Sequence, residues 1–580
     1  MKKTSLAALA AVMVSVAALG ACSKGNDSGS ASTSPSGSPS GTAAASAKPT
    51  ADNSIVTPAG TLPITKEKTT LKVLVQGRPN IDFPTSSATK WMEEQTNVHI
   101  EWQVAPDGPE AQTKLNVVLA SGDYPDVIMN FNVTSTQQMT YGKQGIFLPL
   151  NALIDKYGIN TKKNVFDVFP TVKNDITASD GNIYSLPNVA DCYQCSMGQK
   201  MWVYKPWLDK LGLKVPTTTD EFEAMLLAFK TKDPNGNGKA DEIPLSGTIE
   251  GDHTPLNEFL MNAFVLNGVK ATAVGLSIED GQHMYVDKGK ITAAFAQPGW
   301  KEGLKYLNKL YAEKLIDPQA FTQTLKQLKA IGENPNTVIL GATGALGLGQ
   351  FTQYGGPSNR WTEYVAVPPL KGPSGFQVTP LIANATQTGA FIITKAAKHP
   401  EVAMRWADFM YDSEVTWRLQ KGEEGRNWRK ANPGELDMMG RQAVFAQLAP
   451  IAEEKSNNSW YQRGLSATPD AQRYTSVVDP KAPKPLAVVL YETTKNLYEP
   501  VQQKPDTIIP TLFMDVDQSK QVVDYSKTIG TYVDEMFARF VTGDVDIDKN
   551  WDAYLTQLNT LNLPKLLAIY QAAYDAKMKK

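Results

Sequence analysis

The sequence predicts an α/β fold in at least two lobes, set apart from an export segment at its N-terminus. Three observations carry this. The chain has 580 residues, 42% of them hydrophobic and 20% charged, which is enough apolar material for more than one core. From Leu71 to Asn130, short strand-like runs alternate with helical ones. Before about Ile64 the composition shifts to small and polar residues that cannot build a core.

At the N-terminus, Lys2 and Lys3 precede an apolar run from Leu6 to Leu19 that closes on small residues before Cys22. This is the pattern of a secretory signal over residues 1–21, and the run is too short and Ala-rich to span a bilayer, which takes about 20 strongly apolar residues. Leu19-Gly20-Ala21-Cys22 resembles a bacterial lipobox. That resemblance implies lipidation of Cys22, cleavage before it and an extracytoplasmic protein anchored to the cell membrane by lipid; the alternative is an ordinary signal peptide beside a stray Cys. Residues 22–63 are then a lipidated Cys and a flexible tether of Ser, Gly, Thr, Ala and Pro, with an r.m.s. reach of about 35 Å. Removing Lys2 and Lys3 with the leader leaves 55 basic against 59 acidic groups, a balance that points away from nucleic acid.

The globular part opens with a strand at Leu71–Gln76, a helix at Ser87–Thr96, a strand at His99–Val104, a helix at Pro109–Ser121 and a strand at Asp126–Asn130. Right-handed crossovers in such a βαβαβ unit align the strand ends and following loops along one edge, where open α/β sheets bind ligands.

Ala120-Ser121-Gly122-Asp123-Tyr124-Pro125-Asp126-Val127 resembles the segment closing the first βαβαβ unit of the extracellular solute-binding proteins of carbohydrate ABC transporters. Gly145–Leu150, Asp180–Pro187, Trp202–Phe222, Gly389–Met410 and Phe540–Asp575 are similar to later segments of that family, in order, from about Ile64 to the C-terminus. The large lipoprotein branch that includes the alginate-oligosaccharide binders fits best. The resemblance implies a type II, two-lobe periplasmic-binding-protein-like fold, its lobes joined by a hinge and discontinuous in sequence. Residues 64–190 with part of 330–400 are expected in the first lobe, and 191–330 with about 400–580 in the second. It also implies a monomer that captures an oligosaccharide and serves ABC-transporter permease subunits.

Asp233-Pro234-Asn235-Gly236-Asn237-Gly238-Lys239 reads as a calcium loop. Asp233, Asn235 and Asn237 occupy positions 1, 3 and 5 of the EF-hand pattern, Gly238 the sharp turn at 6, and the Lys239 carbonyl position 7. Position 12 is Pro244 and not Glu, so Asp241 and Glu242 must close the shell, as the alginate binders' loop does. Such an ion (Ca2+) would be structural, pinning a surface loop. The alternative is a tight Asn-Gly turn with solvated charges.

Cys192 and Cys195 are the only other thiols; in an exported chain a local disulfide leads, with free thiols and redox or metal chemistry as alternatives. The four histidines, His99, His253, His283 and His399, are scattered and form no recognisable catalytic pattern.

A sugar cleft uses aromatic faces against pyranose C–H patches and planar polar groups for hydroxyls or carboxylates. Among eleven Trp and twenty-one Tyr, Trp300 after a Pro-Gly turn, Trp428 in the loop with Arg426, Asn427 and Arg429, and Tyr184 at the first expected crossing are the ligand candidates, two of them through the resemblance to the alginate branch. Each could equally be a packing aromatic. Three readings follow in order: an oligosaccharide-binding lipoprotein without enzymatic activity, a binder of peptides or another solute on the same fold, and a secreted calcium-dependent carbohydrate enzyme.

Overall fold

In the computed structural model, which describes residues 55–248, 253–268, 283–382, 386–448 and 457–579, strand β1 (Thr69–Gln76) sends Leu71, Val73 and Val75 to one face and Leu74 to the other, all buried. A strand buried on both faces needs cover on both. Helix α1 (Ser87–Thr96) supplies one side with Ala88 and Met92, starting where the Ser86 side chain caps the Ala88 N–H and stopping at left-handed Asn97. After β2 (Val98–Ala105), helix α2 (Pro109–Ser121) covers the other side with Leu115, Val118 and Leu119, ending at Gly122. Strand β3 (Val127–Met129) completes the unit, and α3 (Ser135–Lys143) follows from a capping box of Thr134 and Gln137.

Helices α4 (Asn151–Tyr157) and α5 (Val172–Ile176) lead to β4 (Leu186–Ala190). The chain then leaves for a second sheet through β5 (Met201–Tyr204), α6 (Lys205–Leu211), α7 (Thr219–Thr231), β6 (Ile243–Ser246), α8 (Leu256–Leu260), the β7 (Met284–Asp287) and β8 (Lys290–Ala293) hairpin, α9 (Pro298–Ala312), α10 (Leu325–Gly332), β9 (Leu340–Gly344) and β10 (Tyr364–Val367). It returns with β11 (Thr386–Ile393), α11 (Pro400–Met410), α12 (Ser413–Lys421), the β12 (Trp428–Lys430) and β13 (Phe445–Gln447) pair and β14 (Ala467–Thr468). Helices α13 (Leu486–Thr493), α14 (Val516–Thr542), α15 (Ile547–Thr560) and α16 (Leu563–Met578) finish it.

The first sheet has the order β14-β4-β11-β3-β1-β2, with β1 parallel to β2 and β3, and β11 antiparallel to β3 and β4. The second has the order β10-β5-β9-β6. Each carries its own core: Trp202, Phe222, Leu245, Trp300 and Leu340 belong to the second, while the first is buried on both sides. The fold is therefore α/β in two lobes discontinuous in sequence, as expected.

The partition differs from expectation in three places. Residues 400–421, expected in the second lobe, pack Val402, Trp406, Met410, Val415 and Leu419 onto the first sheet, together with Trp460 and Leu465. The apolar stripe of α11 fits the face that β11 has just completed. Of the stretch 330–400, β9 and β10 join the second sheet and only β11 the first. Finally, the body begins before Ile64: Val56 is 3% exposed, the Thr57 N–H donates to Ile64 O at 2.9 Å, and Arg405 donates to Thr57 O and Thr61 O at 2.5 and 2.6 Å. The signal segment, Cys22 and the tether through residue 54 lie outside the described residues. Among the described residues, no helix is long and apolar enough to cross a membrane.

Candidate functional site

The parallel strands β1 and β3 end together, so the residues following them share one edge of the first sheet. After β1 comes Gly77, whose N–H donates to Ala105 O at 2.9 Å; a Cβ there would stand 2.5 Å from that oxygen, which is why this position is glycine. After β3 come Asn130 and Asn132, both at positive φ (60° and 51°), a conformation that Asn tolerates better than most residues.

Residues 457–466 lie across this edge. Asn457 accepts from the Asp82 N–H at 2.9 Å, and its own amide donates to Thr85 Oγ1 at 2.9 Å. Further on, Arg463 Nε donates to Gly77 O at 3.1 Å, the Asn130 amide donates to Arg463 O, and the Ser466 N–H donates to Asn188 Oδ1 at 2.9 Å. Trp460 points inward and is fully buried, its indole donating to Thr89 Oγ1 at 3.1 Å. The next two residues, half-buried Tyr461 and exposed Gln462, are therefore held out on a segment anchored at both ends.

Arg78 completes the arrangement. Its guanidinium lies over the Tyr461 ring, 4.9 Å from the centroid, and donates to Gln462 Oε1 at 2.7 Å. Arg463 is paired with Asp107, the carboxylate just past β2, at 2.9 Å. Burial pulls the Arg463 pKa down, the Asp107 charge pulls it up, and the charge of Arg78 pulls it down. The Asn188 amide donates to Asn130 Oδ1 at 2.8 Å, and Gln387 donates to Asn132 Oδ1. The edge is thus built of amides, one aromatic face and guanidinium groups, a set suited to hydroxyl-bearing rings.

The residues singled out from sequence fare unevenly. Trp300 is 1% exposed, packed edge-on against His283 and Phe537 in the second core, so it is a packing residue and not a cleft surface. Tyr184 is 3% exposed, packed against Gly142, with its hydroxyl donating to Asp180 at 2.7 Å; it too is spent in packing. Asn427 is fully buried, accepting from the Glu423 N–H at 3.1 Å and from the Asn458 amide. That bond brings its turn within three residues of Tyr461. Trp428 is half-buried against Trp417 and Arg426 is exposed. Arg429 makes a two-pronged pair with Glu435, at 2.7 Å on each prong, and this pairing holds the Glu435 carboxyl down at about 2.

The glycine-rich loop between α7 and β6 folds around Asp233. Its carboxylate accepts from the N–H groups of Gly236, Asn237 and Gly238, while the Asn235 and Asn237 amides donate to Asp241 at 2.8–3.1 Å. Among the described residues no three carboxylate, His or Cys side chains close on one point. Glu242 Oε1, however, is buried with no hydrogen-bond partner, and burial, with the nearby charges of Asp233 and Asp241, raises its pKa. A cavity of about 520 Å³ adjoins it, lined by Tyr311, Ile316 and Asp317 among others. The Asp317 oxygens are taken up by Ser246 and Gln319, while Glu242 and Lys314 also line that cavity.

Cys192 and Cys195 are joined by a disulfide, Cα atoms 5.2 Å apart, in the passage from β4 to β5. The Tyr193 N–H donates to Asp470 at 2.8 Å and its hydroxyl to Glu499 at 2.7 Å; Ser196 O accepts from Ile382 at 2.7 Å. Segments from all the passages between the two sheets therefore meet at this turn. Behind it lies buried Lys200, donating to Gln194 O at 2.8 Å and to Met197 O and placed over the Tyr498 ring; burial pulls its pKa down to about 7.

The family model described as bacterial extracellular solute-binding protein matches residues 67–417. The fructooligosaccharide ABC transporter substrate-binding protein FusA of Streptococcus pneumoniae is 29% identical over 525 residues, covering 88% of this chain and 91% of that one. Among solved structures, an EF-hand mutant of FusA from S. pneumoniae in complex with fructo-nystose matches at a TM-score of 0.67 and 27% identity, covering 88% of this chain and 99% of that one. An HMO-binding solute-binding protein associated with an ABC transporter, from Bifidobacterium longum infantis, matches at 0.74 and 26%, covering 88% and 100%.

Proposed function

The chain belongs to the bacterial extracellular solute-binding proteins, and from that premise we propose that it captures an oligosaccharide outside the cell and delivers it to an ABC importer. The observation that carries this reading is the edge formed by Arg78, Tyr461, Gln462, Asn132 and Gln387, an anchored aromatic and amide surface where the strands of the first sheet end. A ring laid on Tyr461 buries its C–H face, while the guanidinium and amides satisfy its hydroxyls. Similarity to fructooligosaccharide and HMO binders supports a sugar over a peptide. No covalent step is required. The lobes rotate about the passages that meet at the Cys192–Cys195 turn, and the ligand favours the closed form by as much as it binds that form better.

Two further elements belong to this reading. Asp233, Asn235, Asn237, Asp241 and Glu242, with the Lys239 carbonyl, would hold a calcium ion. The buried, partnerless Glu242 oxygen supports this, as does the EF-hand of FusA. The ion supplies charge neutralisation for a loop with three carboxylates. Lipidated Cys22 and its tether would keep the body near its permease.

The test is calorimetric titration of the mature protein, calcium present, with nystose, lacto-N-tetraose and maltotriose, each recovered afterwards and chromatographed. Saturable binding of a sugar recovered intact supports the reading. Cleavage of one, or binding of neither these nor the acidic trigalacturonate, overturns it.

A further inference from the structure

Two positive features meet beside the Tyr461 surface. One is Arg463, only 15% exposed, whose guanidinium is held by Gly77 O and Gln462 O at 3.1 Å each. The other is the N-terminal end of α2, where the helix dipole is positive, although Pro109 carries no N–H, the Ala111 N–H donates to Gly108 O at 3.1 Å and Glu110 already stands in the first turn. Asp107 answers both. It is paired with Arg463 at 2.9 Å and accepts from the Gly108 N–H, the cap position of α2, at 3.0 Å, while being itself 42% exposed.

The remaining cation, Arg78, is close enough to Arg463 for their charges to oppose each other. Its guanidinium is spread on the Tyr461 ring and donates to Gln462 Oε1, an arrangement with N–H groups left for hydroxyls. Without Asp107, the Arg463 guanidinium would lose its carboxylate partner close to that of Arg78, and two neighbouring guanidiniums are the chemistry of a carboxylate site.

We propose that Asp107 is a specificity-determining residue: by pairing with Arg463 beside Arg78, it reserves this edge for uncharged saccharides and excludes uronic-acid oligomers. The proposal rests on the reading of this edge as the sugar site. A uronate approaching it meets a carboxylate in place, and must either displace it from Arg463 or lie beside it; a neutral ring does neither.

The experiment is titration of the mature protein with the three neutral sugars named above and with trigalacturonate, in low and in physiological salt, for the native chain, Asp107→Asn and Asp107→Glu. The native protein binds a neutral sugar at least about tenfold more tightly than trigalacturonate. Asp107→Asn gains about tenfold or more for trigalacturonate, an effect that shrinks with salt, and holds its affinity for the neutral sugar within about threefold. Asp107→Glu keeps the charge and gains nothing for the acid. A native protein that takes the acid as well as the neutral sugar overturns the proposal and leaves the oligosaccharide reading intact. So does an Asp107→Asn variant that binds the neutral sugar normally and gains nothing for the acid. A native protein that binds none of the four sugars sinks the oligosaccharide reading itself.

Discussion

Trp300→Ala separates a packing residue from a ligand residue. In the structure Trp300 stands on the buried stripe of α9 with Leu304, Leu307 and Leu310, and its ring meets His283 at 5.5 Å and Phe537 at 6.4 Å between centroids. Removing a buried indole costs about 3–5 kcal/mol, transfer and cavity terms together. If the roughly 500 ordered residues unfold together, at about 2.1 cal/mol/K per residue, the unfolding entropy is about 1 kcal/mol per degree, and the melting temperature falls by about 3–5 °C. If the second core melts on its own, the entropy is about half as large and the fall is about 6–10 °C. Trp300→Phe should recover part of either shift. Scanning calorimetry measures the fall, and titration with a bound sugar checks the site, where affinity should stay within about twofold once the variant is folded. A melting temperature within about 1 °C of native, combined with lost sugar binding, would refute the placement of Trp300 in the core.

Tyr461→Ala should do the reverse: about tenfold weaker sugar binding by calorimetry, from loss of the stacking face, with the melting temperature nearly unchanged because the ring is half-exposed. Chelation should lower the melting temperature by about 3 °C relative to calcium at a hundred times its dissociation constant, which corresponds to about 2.7 kcal/mol, while sugar binding persists in the folded protein; identical melting curves with calcium and with chelator would count against an ion in the Asp233 loop. Lys200 gives a pH dependence. Its ammonium releases its proton at about 7 when folded and at 10.5 when unfolded, so between those values the unfolded chain binds more protons and stability rises with pH. That contribution is complete above 10.5 and is lost as pH falls through about 7. Lys200→Met should therefore flatten the rise in melting temperature measured between about pH 7 and 9, and an unchanged slope would show that Lys200 does not titrate there.

Where the sequence carried a period, the reading was close. The helices at Ser87–Thr96 and Pro109–Ser121 lie where Ser86, Asn97 and the Pro109/Gly122 pair put their ends, because capping is local chemistry. Lobe membership was not legible in the same way. An amphipathic helix such as α11 declares that it has a buried face, and only the arrival of β11 in the first sheet decides what that face covers. Trp300 follows a Pro-Gly turn, as a loop residue would, yet Trp300, Leu304, Leu307 and Leu310 form one stripe, and that period selects the packing alternative. Tyr461 was missed because Trp460 and Tyr461 are adjacent aromatics, and which of them faces inward depends on the strand edge beneath, assembled from residues nearly four hundred positions away. The Arg429–Glu435 pair shows the same limit: the sequence places Arg429 beside Trp428 but does not show the carboxylate across its own hairpin that engages it.

The place of β11 governs how this chain can be assembled. It lies between β3 and β4, but it is made roughly 200 residues after β4, with all the strands of the second sheet in between. Until Thr386–Ile393 exists, β3 and β4 have no partner between them, and the first lobe is two pieces with open edges. A lobe closed by its last-made strands cannot fold in step with synthesis from the N-terminus. The two lobes must mature together, and any chain shortened before β11 should present sticky strand edges instead of a smaller folded protein.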